Sequence, residues 1–380
     1  MEENVKATGW KRFKPVIYFL LSLVVALVFT LLLKEPGFTD SQVYVIFLLF
    51  FAIGLWLTEA IPAFAVSLFI IAYLVFTLGN SYLNSAPENI EKYAQTFSSS
   101  MIWLLLGGFF LAAAMTKTKL DRTLFKYTLK ISGTNPRHLL IGLMGTTMVA
   151  SMLMSNTATT SMVIAAILPL LASLGKKSGT AKALLLGIPL AAATGGIGTI
   201  IGTPPNAIGA GALKNAGILI EFLGWMKFGI PVAVALTAIG CIALIRIYMK
   251  DTTPISLGFL ESDAVDTSGE SALKRNIVTI VIILTVGLWL TTSLHGLTVA
   301  SICAVPLVIL TVTGVLEGKD IQGLPWDTLL LVAGGLSLGL ALEQTGLLNH
   351  YADILIAMKL NSMVLIFVFA YLTMLVSNIM

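Results

Sequence analysis

Charge is scarce in this chain. Of its 380 residues only 11% are Asp, Glu, Lys or Arg, less than half the share of an ordinary soluble domain. Apolar residues make up 57%, and the mean hydropathy is +0.93. A soluble body needs polar residues on its outside, so this scarcity excludes an ordinary cytosolic enzyme. It also excludes a disordered chain, which is poor in apolar residues. Cysteine is nearly absent. Cys241 and Cys303 sit in apolar runs, where they read as buried spectators, with no support for a disulfide framework or a metal site. The three histidines, His138, His295 and His350, stand near the ends of apolar runs. There is no H-E-x-x-H and no phosphate loop ending in Gly-Lys-Ser/Thr. What remains is an all-α, polytopic membrane protein.

The long apolar runs bear this out. A helix needs about 20 apolar residues to cross the hydrocarbon core. Candidate spans are 15–33, 43–60, 62–79, 99–116, 227–249, 276–293, 297–316 and 326–343. The first is too long for a cleavable signal. Basic residues set the orientation. Lys6, Lys11, Arg12 and Lys14 precede the first span, which places the N-terminus in the cytoplasm. The segment 117–137, with Lys117, Lys119, Arg122, Lys126, Lys130 and Arg137, falls on the same side. So do Lys176, Lys177 and Lys182, and then Lys250, Lys274 and Arg275. Loops 34–42, 80–97 and 213–226 fall outside, with Lys34, Lys92 and Lys214 as their only basic residues.

This pattern holds only if 139–174 enters and leaves on one side. The middle of that stretch reads Ser155-Asn156-Thr157-Ala158-Thr159-Thr160-Ser161. Such a run facing lipid would leave polar groups unsatisfied. Two half-length helices meeting at a polar tip are expected, forming a hairpin that re-enters the cytoplasm. A full helix whose Ser and Thr bond their own carbonyls would put Lys176 and Lys177 outside. A broken element follows. Apolar 183–193 runs into Thr194-Gly195-Gly196-Ile197-Gly198-Thr199-Ile200-Ile201-Gly202-Thr203-Pro204-Pro205-Asn206, which cannot hold a regular helix. A discontinuous transmembrane helix is expected.

An internal repeat is present. Trp103 to Gly107-Gly108 returns as Leu329 to Gly334-Gly335, and Thr118-Lys119-Leu120 returns as Thr345-Gly346-Leu347, at an offset of 227. The crossing count gives the two copies opposite directions, an inverted-topology repeat of the kind secondary transporters use. Ser151-Met-Leu-Met154 matches Ser377-Asn-Ile-Met380 at an offset of 226, which predicts a second Ser-Asn-Thr tip beyond the last residue and a chain cut off within a hairpin; the alternative is that Ser377-Asn378 is itself the second tip.

Helix N-termini meeting at a tip gather free N–H groups and positive dipole ends, which suits a carboxylate or another anion. Unwound carbonyls with Ser, Thr and Asn oxygens suit Na⁺. No Lys or Arg stands inside these apolar elements, so a bound cation would neutralise the anion. Glu59 and Glu343 sit at span ends, where an interfacial role is favoured over a proton relay. Gly335-Leu336-Ser337-Leu338-Gly339 matches a nucleophile pattern, but that pattern needs a strand-to-helix turn and this copy lies inside an apolar helix. A non-enzyme is expected, and a passive channel is the remaining alternative class.

Met154-Ser-Asn-Thr-Ala158, Gly202-Thr-Pro-Pro-Asn206 and Trp56-Leu-Thr-Glu59-Ala-Ile-Pro62 resemble the divalent anion/sodium symporter family. The resemblance implies Na⁺-driven symport of small divalent anions such as succinate, malate or fumarate across the plasma membrane. Citrate, sulfate or another inorganic anion, and proton-coupled or exchange transport, are the alternatives. It implies a homodimer working by an elevator motion, with 1–96 and 227–320 as scaffold and 97–226 and 321–380 as the moving part. By that resemblance Asn156, Thr157, Thr203 and Pro204 contact the substrate. Ser151, Ser155, Asn156 and Gly202 surround one Na⁺, and Ser377 belongs to a second. No cofactor beyond Na⁺ as coupling ion, and no nucleic-acid partner, is expected.

Overall fold

A computed structural model describes residues 9–84, 87, 89–175, 178–249, 255 and 269–379, without the side chains of 9–12, 122, 269–271 and 376–379. Of the residues used above for orientation, Lys6, Lys176, Lys177 and Lys250 lie outside the described residues, as do the side chains of Lys11, Arg12 and Arg122. All regular structure among the described residues is helical, the form in which a chain satisfies its own backbone inside a bilayer. The protein is an all-α polytopic membrane protein. Eight described helices are long and apolar enough to cross a membrane.

The chain forms two compact units, Met1–Ser99 with Trp326–Met380, and Ser100–Pro325. The first opens with α1 (Gly9–Leu33), α2 (Asp40–Thr58), α3 (Ala63–Leu78) and the short α4 (Glu91–Ala94). The second holds α5 (Ser100–Lys117), α6 (Leu120–Ser132), α7 (Pro136–Ser151), α8 (Asn156–Leu174), α9 (Gly179–Gly195) and α10 (Pro204–Asn215). It continues with α11 (Phe222–Tyr248), α12 (Gly269–Leu290), α13 (Thr292–His295), α14 (Val299–Ile302), α15 (Ala304–Val312) and α16 (Gly318–Gln322). The chain then returns to the first unit with α17 (Trp326–Gln344), α18 (Leu347–Ala357) and α19 (Ser362–Ile379).

In the first unit, Phe51 is the centre of an aromatic cluster. Phe19, Phe47 and Phe69 each lie within 5.3–5.5 Å of its ring. The Trp56–Pro62 motif closes the turn between α2 and α3. Glu59 ends α2 in the left-handed region at φ 48°, and the Trp56 indole N–H donates to the Ala63 carbonyl at 3.3 Å. In the second unit, the core joins α7, α8 and α9 through Leu140, Leu143, Ile167, Leu184 and Ile188, all fully buried.

Three expectations change in detail. The expected span 62–79 is a 16-residue helix, Ala63–Leu78, about 24 Å long at 1.5 Å per residue. The expected span 297–316 is shorter, an apolar stretch Val299–Val312 with helical dihedrals at Cys303 but an interrupted helix there. It is broken into α14 and α15, with α13 ahead of it. Pro306 explains the break, because its ring clashes with the carbonyl four residues back, at Ile302, where α14 ends. The stretch 139–174 is a helical hairpin, but its arms are not half-length: α7 has 16 residues and α8 has 19. Its turn lies at 152–155, just ahead of the polar run, which forms the first turns of α8.

The repeat is legible in the backbone. Lys119 (φ 55°) and Gly346 (φ 76°), 227 residues apart, both stand left-handed at the N-cap of the following helix. Thr118 and Thr345 each donate a hydroxyl to the carbonyl four residues back, at 2.7 Å. Glu91 and Gly318, at the same offset, each start the short helix that precedes a long one. The long helices share a close crossing. At Gly107 a Cβ would lie 2.8 Å from Cys303 Sγ, and at Gly334 it would collide with Ser67.

Candidate functional site

Ser155 starts α8 as its N-cap, with the Ala158 N–H donating to its hydroxyl at 3.2 Å. The Thr159 N–H donates to the Ser155 carbonyl at 2.9 Å. The first turn therefore leaves the Asn156 and Thr157 N–H groups without helical acceptors. Just before it, Ser151 donates its hydroxyl to Asn156 Oδ1 at 2.7 Å.

The broken helix meets this tip. After α9 a single 3-10 turn covers Gly196–Gly198, the backbone opens at 199–203, and α10 begins at Pro204. The Thr199 hydroxyl donates to the Met152 carbonyl, which ties the break to the hairpin turn. Asn206 Nδ2 donates to the carbonyls of Gly196 and Thr199, both at 2.8 Å. A Cβ on Gly196 would lie 2.6 Å from Asn156 Oδ1, and one on Gly202 would collide with the Gly196 carbonyl. Glycine stands at both positions because two backbones and an amide meet there. Gly196 thus touches the first residue of α8 and the third of α10, and the two N-terminal turns converge on it. Their contributions differ. Pro204 and Pro205 have no N–H to offer, so the free donors at the tip come from α8.

The structure brings Ser151, Asn156 and Gly202 together around Gly196. Ser151 and Gly202 are buried, Asn156, Thr203 and Pro204 half-buried, Ser155 and Thr157 exposed. Thr203 makes no side-chain cap bond to α10. The Ser377 side chain lies outside the described residues. Thr147 and Thr159, one turn from the hairpin bend on either arm, are fully buried, and their hydroxyls have no partner among the described residues; Thr159 stands in the polar run, and only the four-residue spacing from Ser151 marks Thr147. No group of three or more His, Cys, Asp or Glu positioned for a metal occurs among the described residues.

A cavity of about 350 Å³ reaches the tip at Met154, Ser155 and Ala158, and is walled by α5 and by Asp320 to Pro325. Lys117 lines it, a residue that the sequence marked only for orientation. Its ammonium bonds Asp320 Oδ2 at 2.7 Å and Glu317 Oε1 at 3.2 Å. Burial works against the Asp320 carboxylate, but Lys117 and the Glu317 N–H outweigh it and hold its pKa below the usual carboxylate range.

Ser337 is no nucleophile. It is fully buried inside α17, its one hydroxyl proton shared between the carbonyls of Tyr93 at 2.8 Å and Ala333 at 2.9 Å. Thr96 Oγ1 adds a contact at 2.7 Å. Cys241 and Cys303 are free and buried.

A hairpin tip interlocked with a broken helix, in a polytopic all-α chain, is an arrangement that secondary transporters use to build binding sites. The sequence model described as citrate transporter matches residues 53–380, and the chain belongs to that family. It is 31% identical over 388 residues to an uncharacterized transporter of Schizosaccharomyces pombe, covering 96% of this chain and 42% of that one. It is 29% identical over 358 residues to the sodium-dependent dicarboxylate transporter SdcS of Staphylococcus saprophyticus, covering 86% of this chain and 67% of that protein. It is 30% identical over 302 residues to the inorganic phosphate transporter PHO87 of Saccharomyces cerevisiae, covering 77% and 32%. The chain thus spans between about a third and two thirds of the length of these relatives.

Proposed function

We propose that the protein carries small divalent anions, dicarboxylates first among them, across the plasma membrane together with Na⁺. One observation carries this reading: the α8 N-terminus, with the N–H groups of Asn156 and Thr157 open, stands against a backbone break rich in carbonyls. An anion fits the first and Na⁺ the second. Ser151 Oγ and Asn156 Oδ1, 2.7 Å apart, offer two oxygens for one cation, to which Ser155 and Gly202 are also assigned. Thr157, Thr203 and Pro204 border the anion. Na⁺ is the coupling ion, and no other cofactor is needed. Ser377 is assigned to a second Na⁺.

The sodium-dependent dicarboxylate relatives support the cargo. The phosphate transporter among the relatives favours a second reading, in which the anion is inorganic phosphate. The carrier works as a homodimer by an elevator motion. Residues 1–96 and 227–320 stay fixed, and 97–226 and 321–380 move. The N-terminus is cytoplasmic, the hairpin re-enters from the cytoplasm, and the two repeats run in opposite directions.

The test is uptake of radiolabelled succinate and phosphate into proteoliposomes under an inward Na⁺ gradient. Succinate uptake that collapses without the gradient is expected. Phosphate uptake alone selects the second reading, and uptake indifferent to Na⁺ overturns the coupling.

A further inference from the structure

The cavity beside the hairpin tip is walled mainly by apolar side chains, and Lys117 is the one cation among the residues lining it. Its volume of about 350 Å³ falls at the lower end of small-ligand sites, roughly 300–1,000 Å³. Ser155 stands at the tip and Lys117 at the end of α5. At rest Lys117 is taken up by two carboxylates, at 2.7 and 3.2 Å. Asp320 has a second duty, because the Glu317 N–H also donates to it at 2.7 Å. Glu317 is 65% exposed. One ammonium and two carboxylates leave a net negative charge, so the resting cluster does not favour an anion. Lys117 serves one only by changing partners.

The repeat supplies an internal comparison. The counterpart of Lys117, 227 residues on, is Gln344. Lys92 on α4 donates to its side-chain oxygen at 3.2 Å, just as Lys117 reaches α16. Each long helix thus ends on a short helix, and the second clasp needs no cation at the helix end. The charge at 117 therefore has a use beyond fastening. An ion pair this exposed also contributes little stability, so exchanging its partners is cheap.

We propose that Lys117 is an anion-receiving station. A small divalent anion, moving between solution and the hairpin tip, takes the Lys117 ammonium from Glu317 and Asp320 while its other end approaches Ser155. This rests on the anion-carrier reading above.

The full-length protein is reconstituted in liposomes, and Na⁺-driven uptake of labelled succinate and phosphate is measured from each face. No uptake of either anion by the unmodified protein overturns both readings. Given uptake, Lys117→Gln raises the anion half-saturation concentration about 10-fold from the face the cavity opens to, the loss of one bond to a charged group. Its salt dependence flattens, and half-saturation for Na⁺ stays unchanged. Asp320→Asn with Glu317→Gln frees the ammonium and lowers the anion half-saturation several-fold. A clasp that only fastens α5 to α16 behaves otherwise: the neutral pair Lys117→Gln with Asp320→Asn, which keeps a hydrogen bond but no ammonium, restores normal uptake. That rescue, or unchanged half-saturation in Lys117→Gln, overturns the proposal and leaves the carrier reading standing. If Lys117→Gln aggregates on size exclusion, the double variant decides. Lowered half-saturation supports the station, and an unchanged value overturns it.

Discussion

Asn156 stands between two partners. Its Oδ1 accepts the Ser151 hydroxyl, and its amide lies against Gly196 so closely that no Cβ fits between them. Asn156→Ala empties that contact and, in the proposed mechanism, removes an oxygen from the Na⁺ side of the tip. A hydrogen bond to a charged group is worth about 1.5–3 kcal/mol, roughly 10- to 150-fold in affinity. Uptake titrations should therefore show weaker dependence on both Na⁺ and anion, whereas Thr157→Ala should weaken the anion alone. Wild-type titrations in Asn156→Ala would remove it from the site. Ser337→Ala is the contrasting case. It costs about 1 kcal/mol for its neutral hydrogen bonds and leaves uptake near normal, which thermal unfolding and the same assay check. At this scale the sequence shows residue types and not their pairing. The run from Ser155 to Ser161 points to a polar tip, because a full helix there would break the pattern of basic loops. It does not say that the run caps a helix rather than unwinding one. Lys117 was hidden for another reason: its partners lie some 200 positions away, and one-dimensional spacing carries no trace of them.

Among the elements, the long helices α5 and α17 pass their neighbours at glycine. Gly334 faces Ser67, whose hydroxyl donates to the Leu331 carbonyl at 3.2 Å. Gly334→Leu would drive a side chain into the α3 backbone. Overpacking of a tight core typically costs about 1–3 kcal/mol, and the expected result is a lowered unfolding midpoint in detergent. An unchanged midpoint would mean that α3 and α17 do not cross as described. Gly339, with open space around its Cβ position, serves as control. Long uniform helices such as α2 and α11 are readable from hydropathy alone. The break between α14 and α15 is not, because Pro306 is also tolerated within membrane helices and only packing reveals which outcome holds. The hairpin arms were underestimated for a related reason. Ser155-Asn156-Thr157 was read as interrupting the arms, although a helix start needs such residues.

For the molecule as a whole, the charge pattern gives a test of orientation. Lys182 is exposed near the start of α9, and in the proposed topology it faces the cytoplasm. A cysteine placed there should react with an impermeant maleimide in inside-out vesicles and not in intact cells. The reverse would place the hairpin on the opposite side. The repeat was legible as an offset of 227 because its marks, paired glycines and a Thr two residues ahead of the next helix, are backbone requirements that leave identities in the sequence. The fastening of one repeat's long helix to the other repeat's short helix leaves no such mark.

The Ser67–Leu331 bond joins residues 264 positions apart. At a synthesis rate of about 5–20 residues per second, α3 waits roughly 15–50 s for the helix that covers it. During that interval its Ser67 face, shaped to take Gly334, stands inside the membrane of a growing chain without the helix that covers it. Assembly of the first unit is therefore paced by translation, and a pause between codons 100 and 326 would lengthen the time in which another nascent chain could occupy that face.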